Sequence, residues 1–133
     1  MNVKRYILAS IAVFIVMVIY AGLVHGVLLA NLYQATANVW RGQADMMAFF
    51  PFNLVMKGLL TLWFVFILTR FSSAGGWQGG LTVGFYFGVF AGLHAAFSYY
   101  YLPIGVTLAG AWFLKSVVEW MLCGAVAGAI YRK

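Results

Sequence analysis

The chain has 133 residues, of which 65% are hydrophobic and 8% charged, and its formal net charge is +6. A soluble domain carries about a quarter charged residues, so this composition excludes an ordinary soluble protein and predicts a single membrane domain over 1–133. The basic residues form no face outside the predicted membrane ends, which argues against nucleic acid as a partner.

Apolar runs predict four membrane-spanning helices, at about 6–30, 52–70, 81–102 and 106–131. Each run reaches or approaches the roughly 17–25 residues needed to cross a bilayer. A chain in lipid has to satisfy its backbone hydrogen bonds internally, which favours helices. The first run is too long for the core of a cleaved signal peptide, so we expect it to remain as an anchor. The predicted fold is all-α, an antiparallel bundle of four transmembrane helices.

The basic residues predict the orientation of this bundle. Five of them fall on one side of a four-span arrangement: Lys4, Arg5, Arg70, Arg132 and Lys133. The opposite side has only Arg41, which Asp45 counters. The positive-inside rule therefore places both termini and the 71–80 loop in the cytoplasm.

The segment 31–51, between the first and second spans, mixes apolar and polar residues. This pattern is typical of an amphipathic segment in the outer membrane interface, with Tyr33 and Trp40 at headgroup level. Arg41 and Asp45 are four residues apart, which suits an ion pair on one helical face. The segment is interpreted either as a cap over the bundle or as a lid over a binding site.

Glycines provide the strongest packing signal. Small residues four positions apart form a flat stripe on a helix, and such stripes let membrane helices approach closely. The third and fourth spans carry this spacing at Gly80, Gly84, Gly88, Gly92, Gly124 and Gly128. The stripe indicates a close contact either within this chain or with a second copy.

The preceding 71–80 segment contains four glycines and is predicted to be a flexible linker. Pro103 and Gly105 predict a short outer turn, with Tyr99, Tyr100, Tyr101 and Trp112 forming an outer aromatic belt.

Five ionisable side chains within the spans are predicted to lie in the outer half of the membrane: His25, Lys57, His94, Lys115 and Glu119. Charges in a membrane seek one another or a wet cavity, so these residues are candidates for a ligand or proton site. We expect at least three to face inward, with Glu119 in reach of Lys115, His94 or Lys57. Lys57 is the member expected to extend to the outer headgroups. A self-neutralising Lys115–Glu119 pair and structural histidine hydrogen bonds are the simpler alternatives. Cys123 is interpreted as packing material.

Catalytic patterns are not evident in the sequence, which contains neither a carboxylate pair, a nucleophile elbow nor a phosphate-binding loop. We therefore predict no enzyme, no catalytic residues, no metal site and no cofactor. One alternative stays open, because His25 and His94 on different spans suit axial ligation of haem, or a metal site with Glu119.

The chain resembles a widespread group of small bacterial four-span proteins generally recorded as uncharacterised membrane proteins. The resembling stretches are 25–29 with Tyr33, 39–41 with Met46, 79–81 with Gly84 and Gly88, 100–103, 112–113 with Glu119, and 130–132. The resemblance implies a bacterial inner-membrane location and four spans, and it implies no activity. Small multidrug exporters are also four-span proteins with one essential glutamate, but theirs lies in the first span, which has no acid here.

These observations lead to three hypotheses about function. The leading one is a non-enzymatic accessory or small-ligand-binding subunit with an outer polar pocket, acting as a homo-oligomer or in a larger membrane complex. The second is a proton-coupled transporter or exporter that uses Glu119. The third is a haem- or metal-binding subunit that uses His25 and His94.

Overall fold

The structure is a computed structural model that describes residues 2–71 and 75–131. All regular elements in these residues are helical, which confirms the all-α prediction. The α-helices are α1 (Val3–Leu23), α2 (Ala30–Ala35), α3 (Gln43–Ala48), α4 (Phe50–Phe71), α5 (Gly76–Phe97) and α6 (Val106–Ile130). A π-helix extends α1 over Val24–Leu28, and 3-10 helices cover Ala37–Val39 and Ser98–Tyr100. Four helices are long and apolar enough to cross a membrane: α1 with its extension, α4, α5 and α6.

The third span differs most from its predicted limits of 81–102. Its helix α5 begins five residues earlier, at Gly76, and ends at Phe97 before a 3-10 turn. Gly75 is extended and Gly76 has a φ of 79°, a left-handed conformation that suits glycine. Most of the predicted 71–80 linker is therefore helical, while its residues 72–74 lie outside the described part of the chain. Arg132 and Lys133, used for the orientation, also lie outside it.

Helix α6 is the central element, since it packs against α1, α4 and α5. Trp120 of α6 lies between Phe64 of α4 and Phe87 of α5, with ring centroids 4.7 and 4.6 Å away. The buried residues of this core are Ala9, Val13, Met17, Phe64, Val65, Leu68, Trp120, Cys123, Ala127 and Tyr131. This core joins three of the long helices, and the partly buried Phe87 brings in the fourth.

The glycine stripe of α5 packs against α6 of the same chain. Gly80 meets Gly124, whereas Gly92 meets Phe113, so the two helices run in opposite directions. A Cβ added at Gly88 would lie 2.8 Å from the Cα of Val117, closer than side-chain atoms approach a backbone. Glycine is therefore what allows these two backbones to touch.

Helix α1 is held to its neighbours at its N-terminal end by two long-range hydrogen bonds. The hydroxyl of Tyr6 donates to the carbonyl oxygen of Leu62 at 2.9 Å. The backbone N–H of Asn2 donates to the hydroxyl of Tyr131 at 3.0 Å. The start of α1 consequently lies beside the end of α6, at the opposite end of the molecule from the segment that follows α1.

Candidate functional site

The segment that links α1 to α4, residues 29–49, folds into short helices that we call the cap. Leu29 packs with Ile104, Leu108 and Ala109 in a second apolar cluster, which fixes the cap on the N-terminal end of α6. The first half of the cap is thus packed on the bundle, whereas all residues of 41–49 are exposed.

The predicted ion pair between Arg41 and Asp45 does not form. Helix α3 begins only at Gln43, so Arg41 precedes the helix and does not share a helical face with Asp45. The Arg41 guanidinium instead lies over the Phe49 ring, 5.0 Å from its centroid. Both charged side chains are exposed.

A π-helix positions His25 at the inner edge of the cap. The N–H of Leu29 donates to the carbonyl oxygen of Val24 at 2.9 Å, the five-residue spacing of a π-turn. Such wide turns inside α-helices are frequent at functional sites because they redirect side chains. The half-buried His25 ring has its Nδ1 2.6 Å from the hydroxyl of Tyr33.

Tyr33 connects the cap to α6. Its hydroxyl accepts a hydrogen bond from Trp112 Nε1 at 2.7 Å. Burial raises the pKa of Tyr33 above its ordinary value, and the Trp112 N–H acts in the opposite direction, so the hydroxyl keeps its proton at neutral pH. Because the Tyr33 oxygen already accepts from Trp112, its own hydroxyl proton is available to be donated to Nδ1 of His25. Nδ1 is then the acceptor, so the proton of the neutral imidazole lies on Nε2.

Two tryptophans complete this arrangement. The Trp40 ring lies 5.4 Å from that of Tyr33 and 5.9 Å from that of Trp112, both in edge-on geometry. Trp40 Nε1 also donates to Thr36 Oγ1 at 3.0 Å. We call Tyr33, Trp40 and Trp112 the aromatic hub. Its ring contacts and hydrogen bonds join three separate parts of the chain.

A groove of about 870 Å³ lies against the hub, between the π-helix and the cap. It is lined by His25, Gly26, Ala30, Tyr33, Gln34, Ala37, Trp40, Arg41, Gly42, Gln43 and Met46. Its volume is within the range of about 300–1,000 Å³ typical of small-molecule sites. Its lining combines small apolar side chains with a few polar groups and includes no carboxylate.

Glu119 and Lys115 form a buried ion pair within α6. The Lys115 ammonium lies 2.5 Å from Glu119 Oε2, and Glu119 is only 4% exposed. The second carboxylate oxygen, Oε1, is buried and has no hydrogen-bond partner among the described residues. The carboxylate is therefore neutralised by its own helix and is left with one open acceptor.

The structure brings most of the predicted ionisable residues towards one region. Lys57 interacts electrostatically with Glu119 and Lys115, and His25 with both lysines. Lys57 is half-buried, and its extension to the outer headgroups stays a prediction. It makes no hydrogen bond or ion pair through its side chain to the described residues.

His94 departs from the expected inward layer, because it is exposed and makes no hydrogen bond to another described residue. It follows Gly92 by two positions, about 200° around the helix. Since Gly92 faces α6, His94 points away from it. Within the described residues, no group of three or more His, Cys, Asp or Glu side chains is placed to hold a metal ion.

Sequence reasoning missed the aromatic hub. Tyr33, Trp40 and Trp112 were assigned to the membrane interface, because aromatic residues at helix ends usually anchor there. The bond from Trp112 to Tyr33 spans 79 residues, and no local spacing encodes it. The sequence offered one signal, the aromatic and amide side chains that are interspersed along 31–51.

No family model, curated protein or solved structure matches this chain. The resemblance to small bacterial four-span membrane proteins therefore stays an expectation.

Proposed function

We propose that this chain is an integral protein of the bacterial inner membrane. In this proposal α1, α4, α5 and α6 form an antiparallel bundle with both termini in the cytoplasm. Large apolar side chains on the outer faces of the long helices support it, among them Ile19, Trp63, Phe90 and Leu114, which are 58–74% exposed. Such faces suit contact with lipid tails, which solvate apolar side chains as well as a protein core does.

The proposed role is that of a non-enzymatic accessory or ligand-binding subunit that takes a small molecule in the groove between the π-helix and the cap. The single observation that carries it is the groove itself, about 870 Å³ against an aromatic hub with fixed hydrogen bonds. Ligand sites are typically apolar concavities with a few well-placed polar groups, and this groove has both features. The subunit acts either as a homo-oligomer or within a larger complex.

Two glycines of the α1 segment allow a matched test of the groove. Gly26 lines it, whereas Gly22 lies one turn earlier outside it, and a Cβ at either position would meet nothing within 4 Å. Gly26→Leu should therefore fill the groove without disturbing the core, and Gly22→Leu is the control. Native mass spectrometry of protein extracted in mild detergent should show a bound molecule in the wild type and in Gly22→Leu, and its loss in Gly26→Leu. A wild type that carries neither ligand nor partner would contradict the proposal.

A proton-coupled transporter is the second candidate, and the open Oε1 of Glu119 is the observation that favours it. A buried carboxylate with one free acceptor has the chemistry needed to bind and release a proton. Glu119→Gln keeps the shape and removes the charge. Transport and resistance phenotypes that persist in Glu119→Gln would eliminate this candidate.

Binding of haem or a metal is the third candidate and the one the geometry favours least. His94 is exposed and lies on the side of α5 opposite its glycines, whereas His25 lies in the groove lining, and the described residues contain no group of three or more His, Cys, Asp or Glu that could hold a metal ion. A Soret band in the absorbance spectrum of the purified protein, lost in His25→Ala, would reinstate this candidate.

A further inference from the structure

We infer that the occupant of the groove is an acidic phospholipid of the surrounding bilayer, whose phosphate is held by Arg41 and His25. This inference rests on the proposed function, because it names the chemical class of the ligand in the same groove.

The charge of the groove favours an anion. Arg41 is the one fully charged side chain in its lining, and no carboxylate lines it. The nearest acid in sequence, Asp45, is exposed and does not pair with Arg41. Contact with the Phe49 ring occupies one face of the guanidinium and leaves the N–H groups at its edge available. Those N–H groups match phosphate oxygens in pairs.

His25 also lines the groove and offers a second donor. Its Nδ1 is used by Tyr33, and its Nε2 has no partner among the described residues. In the hydrogen-bond arrangement derived above, Nε2 carries the proton of the neutral ring and can donate it to an acceptor in the groove. The hub therefore fixes both the orientation and the tautomer of the histidine, with its donor left for a ligand.

The remaining lining explains why the anion should belong to a lipid. Gly26, Ala30, Ala37 and Met46 provide apolar walls, which a free inorganic anion would not use. Immediately after Gly26, Val27 and Leu28 are 65% and 68% exposed on the outside of the same turn. The acyl chains can therefore leave the groove along an apolar surface that faces the bilayer.

The test compares two lipids with identical acyl chains, phosphatidylglycerol and phosphatidylcholine, titrated onto the full-length protein in mild detergent with native mass spectrometry as the readout. Both lipids carry the phosphate, but phosphatidylcholine places a trimethylammonium beside it, which would repel the Arg41 guanidinium. Loss of one charge-assisted contact corresponds to about ten-fold weaker binding, so phosphatidylglycerol should be preferred by about that factor. Arg41→Gln should bring the two lipids close to parity.

Arg70→Gln is the matched control. Arg70 is also an exposed arginine over an aromatic ring, 5.3 Å from the centroid of Phe66, but it lies at the far end of α4. The preference should persist in this variant, and both variants should keep the wild-type thermal stability because neither side chain is buried.

Several results would overturn the inference. An equal loss of preference in Arg70→Gln would show that the preference comes from the surface charge of the protein in general. Equal binding of both lipids to the wild type would show that the groove contains no anion site. Displacement of the lipid by soluble glycerol phosphate at comparable concentration would show that the apolar part contributes nothing. If both lipids bind equally and Gly26→Leu weakens both, the lipid-charge inference fails while the proposed groove stands. If Gly26→Leu weakens neither, both fail.

Discussion

Glu119 is buried and Tyr33 is half-buried, and their hydrogen-bond partners come from different distances along the chain. Glu119 is paired with Lys115, one turn away on the same helix. Tyr33 bonds to His25 and Trp112, which belong to other elements. The first interaction can form as soon as α6 is helical, whereas the second requires the cap to be packed on the bundle.

Removing one partner of the buried ion pair should destabilise the protein, whereas replacing both partners by apolar residues should not. Lys115→Met would leave the Glu119 carboxylate without its counterion at 4% exposure, and we expect a loss of about 3 kcal/mol in unfolding free energy. The double variant Lys115→Met/Glu119→Met removes both charges and should recover most of that loss. Unfolding in detergent, analysed as a double-mutant cycle, measures the difference. A double variant as unstable as Lys115→Met would show that the pair itself contributes net stability.

Removing the hydroxyl of Tyr33 should loosen the cap. Tyr33→Phe would leave the Trp112 N–H and His25 Nδ1 without partners, at a cost of about 1–3 kcal/mol. Tyr100→Phe is the control, since Tyr100 is 83% exposed and should have almost no effect. Thermal unfolding and the tryptophan emission spectrum report the change. Equal unfolding temperatures and emission spectra in the two variants would contradict the role of the hub in holding the cap on α6.

The glycine stripe makes α5 and α6 the most closely joined pair of elements. Their backbones meet where Gly80 and Gly84 face Gly124 and Trp120, so the fit depends on the absence of side chains. In membranes, where lipid removes most of the hydrophobic drive between helices, such close packing is a main source of association.

Alanine substitutions at two glycines of α6 should have opposite effects. A Cβ at Gly124 would overlap the carbonyl oxygen of Gly80, whereas one at Gly110 would meet nothing within 4 Å. Gly124→Ala should cost at least about 2 kcal/mol through overpacking. Gly110→Ala should be neutral or gain about 0.5–1 kcal/mol, because alanine favours a helix interior. Melting temperatures in detergent distinguish the two, and equal values would contradict the close approach.

The elements differ in how far their sequence predicts them. The long helices and the glycine stripe follow from local patterns, namely apolar runs and a four-residue spacing in a single helix. The hub and the π-turn at His25 do not, because they depend on contacts between residues far apart in sequence. The direction of His94 was left open, because its depth was estimated from the sequence but the rotation of α5 about its axis was not.

Orientation is a property of the whole molecule and can be tested with introduced cysteines. Cys123 is fully buried, so the native chain should give little background labelling. Tyr100→Cys, in the outer turn, should react with a membrane-impermeant maleimide on intact cells, whereas Gln78→Cys at the start of α5 should react only after lysis. The reverse pattern would invert the proposed topology and place the groove on the cytoplasmic side.

The contact between α5 and α6 also determines which motions the protein can make. Two helices that touch backbone to backbone cannot slide or separate without losing their whole interface, so this hairpin behaves as one rigid body. Helices α1 and α4 contact their neighbours mainly through side chains, which can repack. Any opening of the groove must therefore come from the π-turn and the cap moving over a fixed frame, and a crosslink across α5 and α6 should leave ligand exchange unchanged.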